Sequence, residues 1–138
     1  MKRTLFEIII AWLGILFGFL YGEINGVFLA LVALIALDYV TGVIDSIIQK
    51  KLSSAVGFRG ILKKCMIMLV VAMSYVVDTY VFNLDGILST AVKFFFIANE
   101  GISILENAAS IGVPIPKRLI DALEQLKNKS DKGGNDNV

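Results

Sequence analysis

Four long apolar runs divide the chain, and short polar segments separate them. These runs cover residues 6–22, 26–46, 64–82 and 86–111, the last one turning amphipathic in its second half. A bilayer hydrocarbon core of about 30 Å is crossed by roughly 20 helical residues. The pattern therefore predicts an all-α integral membrane protein with four transmembrane helices.

The fourth run has clear signals at both ends. Asp85 precedes it and suits the N-cap position of a helix, whereas Gly112 and Pro114 follow it and are typical of a helix stop. We therefore predict that the fourth helix begins after Asp85 and ends close to Gly112.

A shorter helix is predicted beyond the fourth run. Pro116 suits the first turn of a helix, and apolar side chains then recur at spacings of four and three residues, at Leu119, Leu123 and Leu126. We predict a cytoplasmic amphipathic helix over 113–128, suited to the membrane surface or to a partner. The polar segment 129–138 is predicted to be a disordered tail.

The segment 45–64 is the only long loop predicted between spans. Ser53 or Ser54 suits the N-cap of a short helix there. Gly57 and Gly60 permit tight turns or the close approach of a neighbour.

Basic residues lie on one side of this arrangement. Two precede the first run, five lie within 45–64 and five follow the fourth run, whereas the other two connections have none and Lys93 lies inside a span. Cytoplasmic segments are enriched in Lys and Arg. We therefore expect both termini and the 45–64 loop to lie in the cytoplasm.

The beginning of the chain also resembles a secretory signal peptide. However, Glu7 interrupts its basic region, and the bulky residues Leu20 and Tyr21 occupy the stretch where a small-residue cleavage site is expected. The sequence favours an uncleaved first span.

Composition excludes several classes of function. The chain has 138 residues, of which 57% are hydrophobic and 18% charged, with no histidine, one cysteine and a net charge of +1. This excludes a metal site of histidines and cysteines and an intramolecular disulfide, and no strong positive field draws the chain to nucleic acid. There is no nucleophile motif or phosphate loop, so we expect neither an enzyme nor a cofactor.

Charged residues inside the predicted spans need partners, because a charge in hydrocarbon is costly. Asp78 and Lys93 fall at similar depth and are expected to pair. Asp38 and Glu100 share the inner half of the membrane, and the spans offer them no cation at that level. These groups either hold the helices together or couple the protein to protons or ions.

The fourth helix carries a polar stripe. Lys93, Glu100 and Asn107 recur every seven residues and therefore share one helical face. Two interpretations remain open: the stripe faces water inside an assembly, or the membrane ends near Ala98 and the remainder is a cytoplasmic helix.

Small residues line one face of the first span. Ala11, Gly14, Gly18 and Gly22 recur at spacings of three, four and four. Such ridges let membrane helices approach closely. The partner is either another span of the same chain or a second copy.

Three stretches resemble the holins of the toxin-secretion and phage-lysis family found in clostridial phages. They are ALDYVTG, then KKLSSAVGFRGILKK leading into a span that ends in VVD, and NEGISILENAASIGVPIPKRL. The positions matching the family pattern are Asp38, Gly42, Ser54, Gly57, Gly60, Lys64, Asp78, Glu100, Ser103, Glu106, Asn107, Gly112, Pro114 and Pro116. The first span lies outside these stretches.

The resemblance implies a function without catalytic residues. Such a protein oligomerises with itself in the lipid bilayer of the bacterial cytoplasmic membrane. It then forms lesions that release an endolysin or a toxin. The endolysin is a functional partner that need not contact the protein directly. The alternatives are a small four-span transporter or channel, for which a carboxylate central in the first span would be typical, and a non-conducting membrane scaffold.

Overall fold

The computed structural model describes residues 2–133, which contain helices and their connecting loops. The helices are α1 (Lys2–Tyr21), α2 (Gly26–Ile48), α3 (Ser54–Val77), continued by one π-helical turn (Asp78–Phe82), α4 (Ile87–Ser110) and α5 (Lys117–Gly133). The first four, with the π turn counted in α3, are long and apolar enough to cross a membrane. The predicted all-helical class and number of spans are therefore confirmed.

Polar side chains cap the starts of α2 and α3. The Asn25 side chain accepts a hydrogen bond from the Phe28 backbone N–H at 2.9 Å, and the Ser53 hydroxyl accepts one from Val56 at 3.2 Å. Each cap satisfies an N–H group that has no partner within its helix. Of the two predicted caps, Ser53 is the one used, and Ser54 is the first residue of α3.

α3 begins ten residues earlier than predicted. The predicted loop 45–64 is reduced to 49–53, and Gly57, Gly60 and Lys64 lie within the helix. The hydropathy pattern failed here because the first three turns of α3 carry basic residues. Including its π turn, the 29-residue element is about 43 Å long, which exceeds the bilayer core.

The ends of α4 are set by residues with positive φ. Gly86, with φ 87°, occupies the N-cap position. Because glycine has no side chain, this residue cannot cap the helix with a side-chain hydrogen bond. The prediction of Asp85 as the N-cap was wrong, because this residue lies one position earlier, with φ 51°. α4 ends at Ser110, and Gly112 follows with φ 91°, a conformation that glycine adopts without a Cβ penalty.

α4 lies at the centre of the bundle. It packs on α2, α3 and α5. α1 packs along α3, and the rings of Phe17 and Tyr21 also contact that of Phe28 in α2. Within the described part of the chain, α1 and α5 are therefore the two ends of the packing order α1–α3–α4–α5.

The buried core is small for a chain of this length. Leu31, Ile67 and Val71 form its centre, and side chains of α4 pack against them. By contrast, no residue of Thr4–Tyr21 is buried. Lipid tails are as apolar as these side chains, so such an exterior suits hydrocarbon rather than water.

α5 differs from the predicted C-terminal segment in length and in placement. The prediction gave a helix over 113–128 and a disordered tail over 129–138, whereas α5 runs from Lys117 to Gly133 and packs along α4. Part of the predicted tail is therefore helical, because α4 supports this segment. Residues 134–138 lie outside the described part of the chain.

Candidate functional site

Lys64 of α3 lies between two carboxylates from neighbouring helices. Its ammonium group makes ion pairs with Asp38 of α2 and with Glu100 of α4, whose side chain is 1% exposed. A lone charge at mid-membrane costs roughly 2.5–3.5 kcal/mol on insertion scales, so enclosing and pairing these charges offsets a large penalty. The prediction that no cation lies at this level was wrong. Because α3 begins at Ser54, Lys64 lies about three turns inside the helix.

Asn107 of α4 extends this polar network. Its side-chain amide donates to Asp38 Oδ1 at 3.2 Å and to Thr41 Oγ1 at 2.9 Å, and the Thr41 hydroxyl donates to the Asp38 carbonyl oxygen at 3.0 Å. The network thus joins α2, α3 and α4. Among the described residues, no buried side-chain nitrogen or oxygen lacks a hydrogen-bond partner.

The polar stripe of α4 faces the interior of the bundle. Lys93 and Glu100 are buried, and Asn107 bonds to α2. Ala98 is fully buried, and α4 continues unbroken past it to Ser110. Within one chain, these three residues of the stripe therefore lie between helices.

Asp78, rather than Asp85, caps α4. Its two carboxylate oxygens accept hydrogen bonds from the backbone N–H groups of Gly86 at 3.0 Å and Ser89 at 2.7 Å. A carboxylate is favourable here because the N-terminal end of a helix carries a partial positive charge. The sequence signal was an aspartate at the end of one span, followed by a tight turn into the next.

The predicted ion pair between Asp78 and Lys93 does not form. Lys93 is 6% exposed, but in the described part of the chain both ion pairs belong to Lys64. Asp78 directs its oxygens to the backbone of α4 instead, and its charge acts on Lys93 only across a longer distance.

The glycines near the start of α3 accommodate an aromatic ring of α2. A Cβ atom at Gly60 would lie 3.3 Å from the ring of Tyr39, and one at Gly57 would lie 3.5 Å from its hydroxyl oxygen. Similarly, a Cβ atom at Gly42 would lie 3.6 Å from the Asn107 amide nitrogen. These glycines allow close approach between helices. Sequence reasoning did not identify Tyr39, because an aromatic residue in an apolar run carries no distinguishing signal.

A cavity of about 210 Å³ lies beside the polar network. The residues that line it include Asp38, Tyr39, Lys64, Ser103 and Asn107. A water molecule occupies about 30 Å³ in the liquid, so the cavity is large enough for several. The network therefore has room for hydration even though its charges are enclosed by helices.

The small-residue face of α1 is only partly packed. A Cβ atom at Gly14 or Gly18 would meet nothing within 4 Å, and Ala11 is exposed. Gly22 differs, because it has φ 68° and a Cβ atom there would lie 2.5 Å from the Tyr75 ring. Packing against spans of the same chain therefore accounts for Gly22 and for neither Gly14 nor Gly18.

A second set of polar contacts joins the ends of α2 and α4. Gln49 donates to the Ser110 hydroxyl at 3.0 Å, and that hydroxyl donates to Asp45 at 2.6 Å. No spacing in the sequence signals contacts between residues so far apart along the chain. Glu106 is exposed on α4, and Pro116 directly precedes α5.

Comparison with known proteins places this bundle in a family. The sequence profile of the bacteriophage holin family matches residues 15–128, which include α2, α3, α4 and most of α5. The chain belongs to the bacteriophage holin family. Holins are not enzymes, and the contacts of these polar residues are contacts between helices of a membrane protein.

Individual relatives support the assignment. A probable holin of Bacillus phage phi105 is 40% identical over 114 residues, which cover 83% of each chain. An uncharacterized 14.9 kDa protein of Clostridium perfringens is 44% identical over 117 residues, covering 85% of this holin and 89% of that protein. No solved structure matches the holin. The family match includes the whole Lys64 network, whereas Ala11 and Gly14 precede it.

Proposed function

We propose that this holin oligomerises in the bacterial cytoplasmic membrane and forms lesions through which an endolysin escapes, so that the host cell lyses. The distribution of polarity carries the proposal. The Lys64 network is enclosed by α2, α3 and α4, while α1 exposes apolar side chains such as Trp12, 68% exposed, and Ile15, 64% exposed. Such a molecule can dissolve in lipid and still holds charged groups that an assembly could hydrate.

The partners follow from this role. Further copies of the holin and the lipid bilayer are the direct partners, and no nucleic acid is involved. The endolysin depends on the lesion and needs no contact with the holin. A toxin is the alternative cargo implied by the resemblance to clostridial holins.

The proposed orientation places the N-terminus, the link between α2 and α3 and the end of α4 in the cytoplasm. Lys50 and Lys51 are exposed at that link, and Arg59 and Lys63 are exposed on the first turns of α3. Lys64 is left out of the count of basic residues on the cytoplasmic side, because its side chain pairs with Asp38 inside the bundle. In the inserted precursor, α5 lies at the cytoplasmic surface and both termini are cytoplasmic.

The deciding experiment is induction of the holin in a bacterium, with and without a co-expressed endolysin. Viability and optical density are followed over time. We expect viability to fall in both cultures and the optical density to collapse rapidly only when both proteins are present. Unaffected growth in both cultures would exclude lesion formation and favour a transporter or a scaffold.

A further inference from the structure

α5 runs antiparallel to α4 and lies directly on it. A Cβ atom at Gly101 would lie 3.1 Å from the Leu123 side chain, so the absence of a side chain at Gly101 creates the notch that seats Leu123. One turn further along α5, the Lys127 ammonium lies 5.4 Å from the centre of the Phe95 ring. Later residues of α5 therefore lie beside earlier residues of α4, so the two helices are antiparallel.

The end of α5 reaches the beginning of α4. Lys129 and Ile87, the first residue of α4, line the same groove. From Leu123 to Lys129, α5 rises about 9 Å beside α4, and this part of α4 lies within its membrane-spanning stretch, Ile87–Ser110. The docked α5 therefore stands at bilayer depth beside a membrane span.

The outer face of docked α5 is polar. Asp121, Glu124, Gln125 and Asn128 are all exposed. Hydrocarbon cannot solvate such a face, and charged side chains at this depth occur almost only where they face protein or water. Docked α5 is consequently compatible with a membrane only if water lies on that side of the bundle.

The other end of the packing order has the opposite requirement. No residue of Thr4–Tyr21 is buried, and the exposed side chains of α1 are overwhelmingly apolar. One edge of each chain thus requires lipid and the other requires water. Several copies satisfy both requirements when they enclose water with α5 inward and α1 outward.

We propose that α5, docked in the Gly101 notch of α4, lines the water-filled interior of the assembled lesion, and that α1 forms its lipid-facing rim. This inference rests on the proposed lesion-forming function. Before assembly, the same helix lies on the cytoplasmic surface, where its polar face is already hydrated. Assembly therefore moves α5 from the surface onto α4.

Disulfide cross-linking in the full chain tests the docking. In a Cys65→Ser background, Gly101→Cys is combined with Leu123→Cys. The matched control combines Gly101→Cys with Leu123→Ala and Glu124→Cys, so that the notch stays open and the second thiol lies at an exposed position. Membranes are oxidised with copper phenanthroline before and after permeabilisation. We expect the Leu123 pair to cross-link at least fivefold more after permeabilisation and the control pair to show no increase. Equal yields of the Leu123 pair before and after would overturn the proposal.

A second measurement tests the hydration of α5. In the same background, lesions formed in planar bilayers by Glu124→Cys are exposed to a negatively charged methanethiosulfonate, with Ile15→Cys on α1 as the control. We expect the current to change for Glu124→Cys and to stay constant for Ile15→Cys. If Glu124→Cys is completely labelled and the current does not change, α5 does not line the lesion. That result would leave the proposed lesion formation intact. Absence of any current from the wild-type holin would instead refute the proposed function itself.

Discussion

Lys63 and Lys64 are neighbours in sequence, but they have different surroundings. Lys63 is exposed, whereas Lys64 pairs with Asp38 and Glu100. Lys64→Met leaves two carboxylates enclosed without their cation, and removing one partner of a buried ion pair costs about 3–5 kcal/mol. We expect a clearly lower melting temperature in detergent for Lys64→Met and an unchanged one for Lys63→Met.

A compensating variant provides the control for this network. Lys64→Met combined with Asp38→Asn and Glu100→Gln removes all three charges together, so it should recover most of the lost stability. If Lys64→Met melted at the same temperature as Lys63→Met, the network would not stabilise the bundle.

The cap of α4 gives a second contrast between similar residues. Asp78→Asn replaces one of the two carboxylate oxygens by an amide group that donates, so one of the two backbone N–H groups loses its acceptor. Leaving such a buried group unsatisfied costs about 1–3 kcal/mol. Asp85→Asn should be neutral, because asparagine tolerates the positive φ at that position. Thermal melts of the two variants decide the matter. Greater destabilisation by Asp85→Asn would contradict this account of the cap.

These individual roles were only partly predictable from the sequence. That Asp38 and Glu100 require partners followed from the cost of charge in lipid. That Lys64 supplies the partner did not follow, because its depth depends on where α3 begins. Hydropathy cannot locate the start of a helix whose first turns are basic.

At the level of elements, α1 offers a test of self-association. A Cβ atom at Gly18 would meet nothing within 4 Å, so Gly18→Leu should leave the stability of the monomer intact or slightly raised, since leucine is the better helix former. If this face joins copies, cross-linked oligomers should become smaller and lysis should shift in time. Unchanged oligomers and unchanged lysis timing would exclude this face as a contact.

Gly22→Leu, at the residue that directly follows α1, is the matched contrast. Its backbone has φ 68° and its Cβ atom would collide with Tyr75. We expect this variant to lower the yield of folded monomer, as measured by size-exclusion chromatography in detergent. A normal monomer yield would contradict the packing of α1 described above.

The notch of α4 can be closed by substitution. Gly101→Leu should block the seating of Leu123 while preserving a helical α4, so that the protein still inserts but lysis is delayed or lost. Leu123→Ala combined with Gly101→Leu restores space and should restore lysis. Membrane fractionation and lysis timing provide the readouts, and normal lysis by Gly101→Leu would show that docking is dispensable.

The sequence predicted the existence of elements better than their contacts. Runs of apolar residues identified four spans, and the spacing of Leu119, Leu123 and Leu126 identified an amphipathic helix. That spacing fits a membrane surface, a partner or another helix of the chain equally well. The choice of α4 depends on the notch at Gly101, which periodicity does not distinguish from any other helical glycine.

For the whole molecule, the packing order sorts the helices by the solvent they require. α1 exposes an apolar surface at one end, the charged network lies in the middle, and the polar face of α5 lies at the other end. Hydropathy predicted a membrane protein, but it treats each segment separately. It therefore could not show that opposite edges of one bundle require different surroundings.

The most direct test of the central claim uses the purified holin in liposomes that enclose a fluorescent dextran about the size of a small enzyme. Lesion formation predicts release of the dextran above a threshold protein density. Gly101→Leu should reduce this release, and its combination with Leu123→Ala should restore it. If the wild-type holin inserts fully at high density and the dextran stays inside, the chain does not form lesions and the account is contradicted.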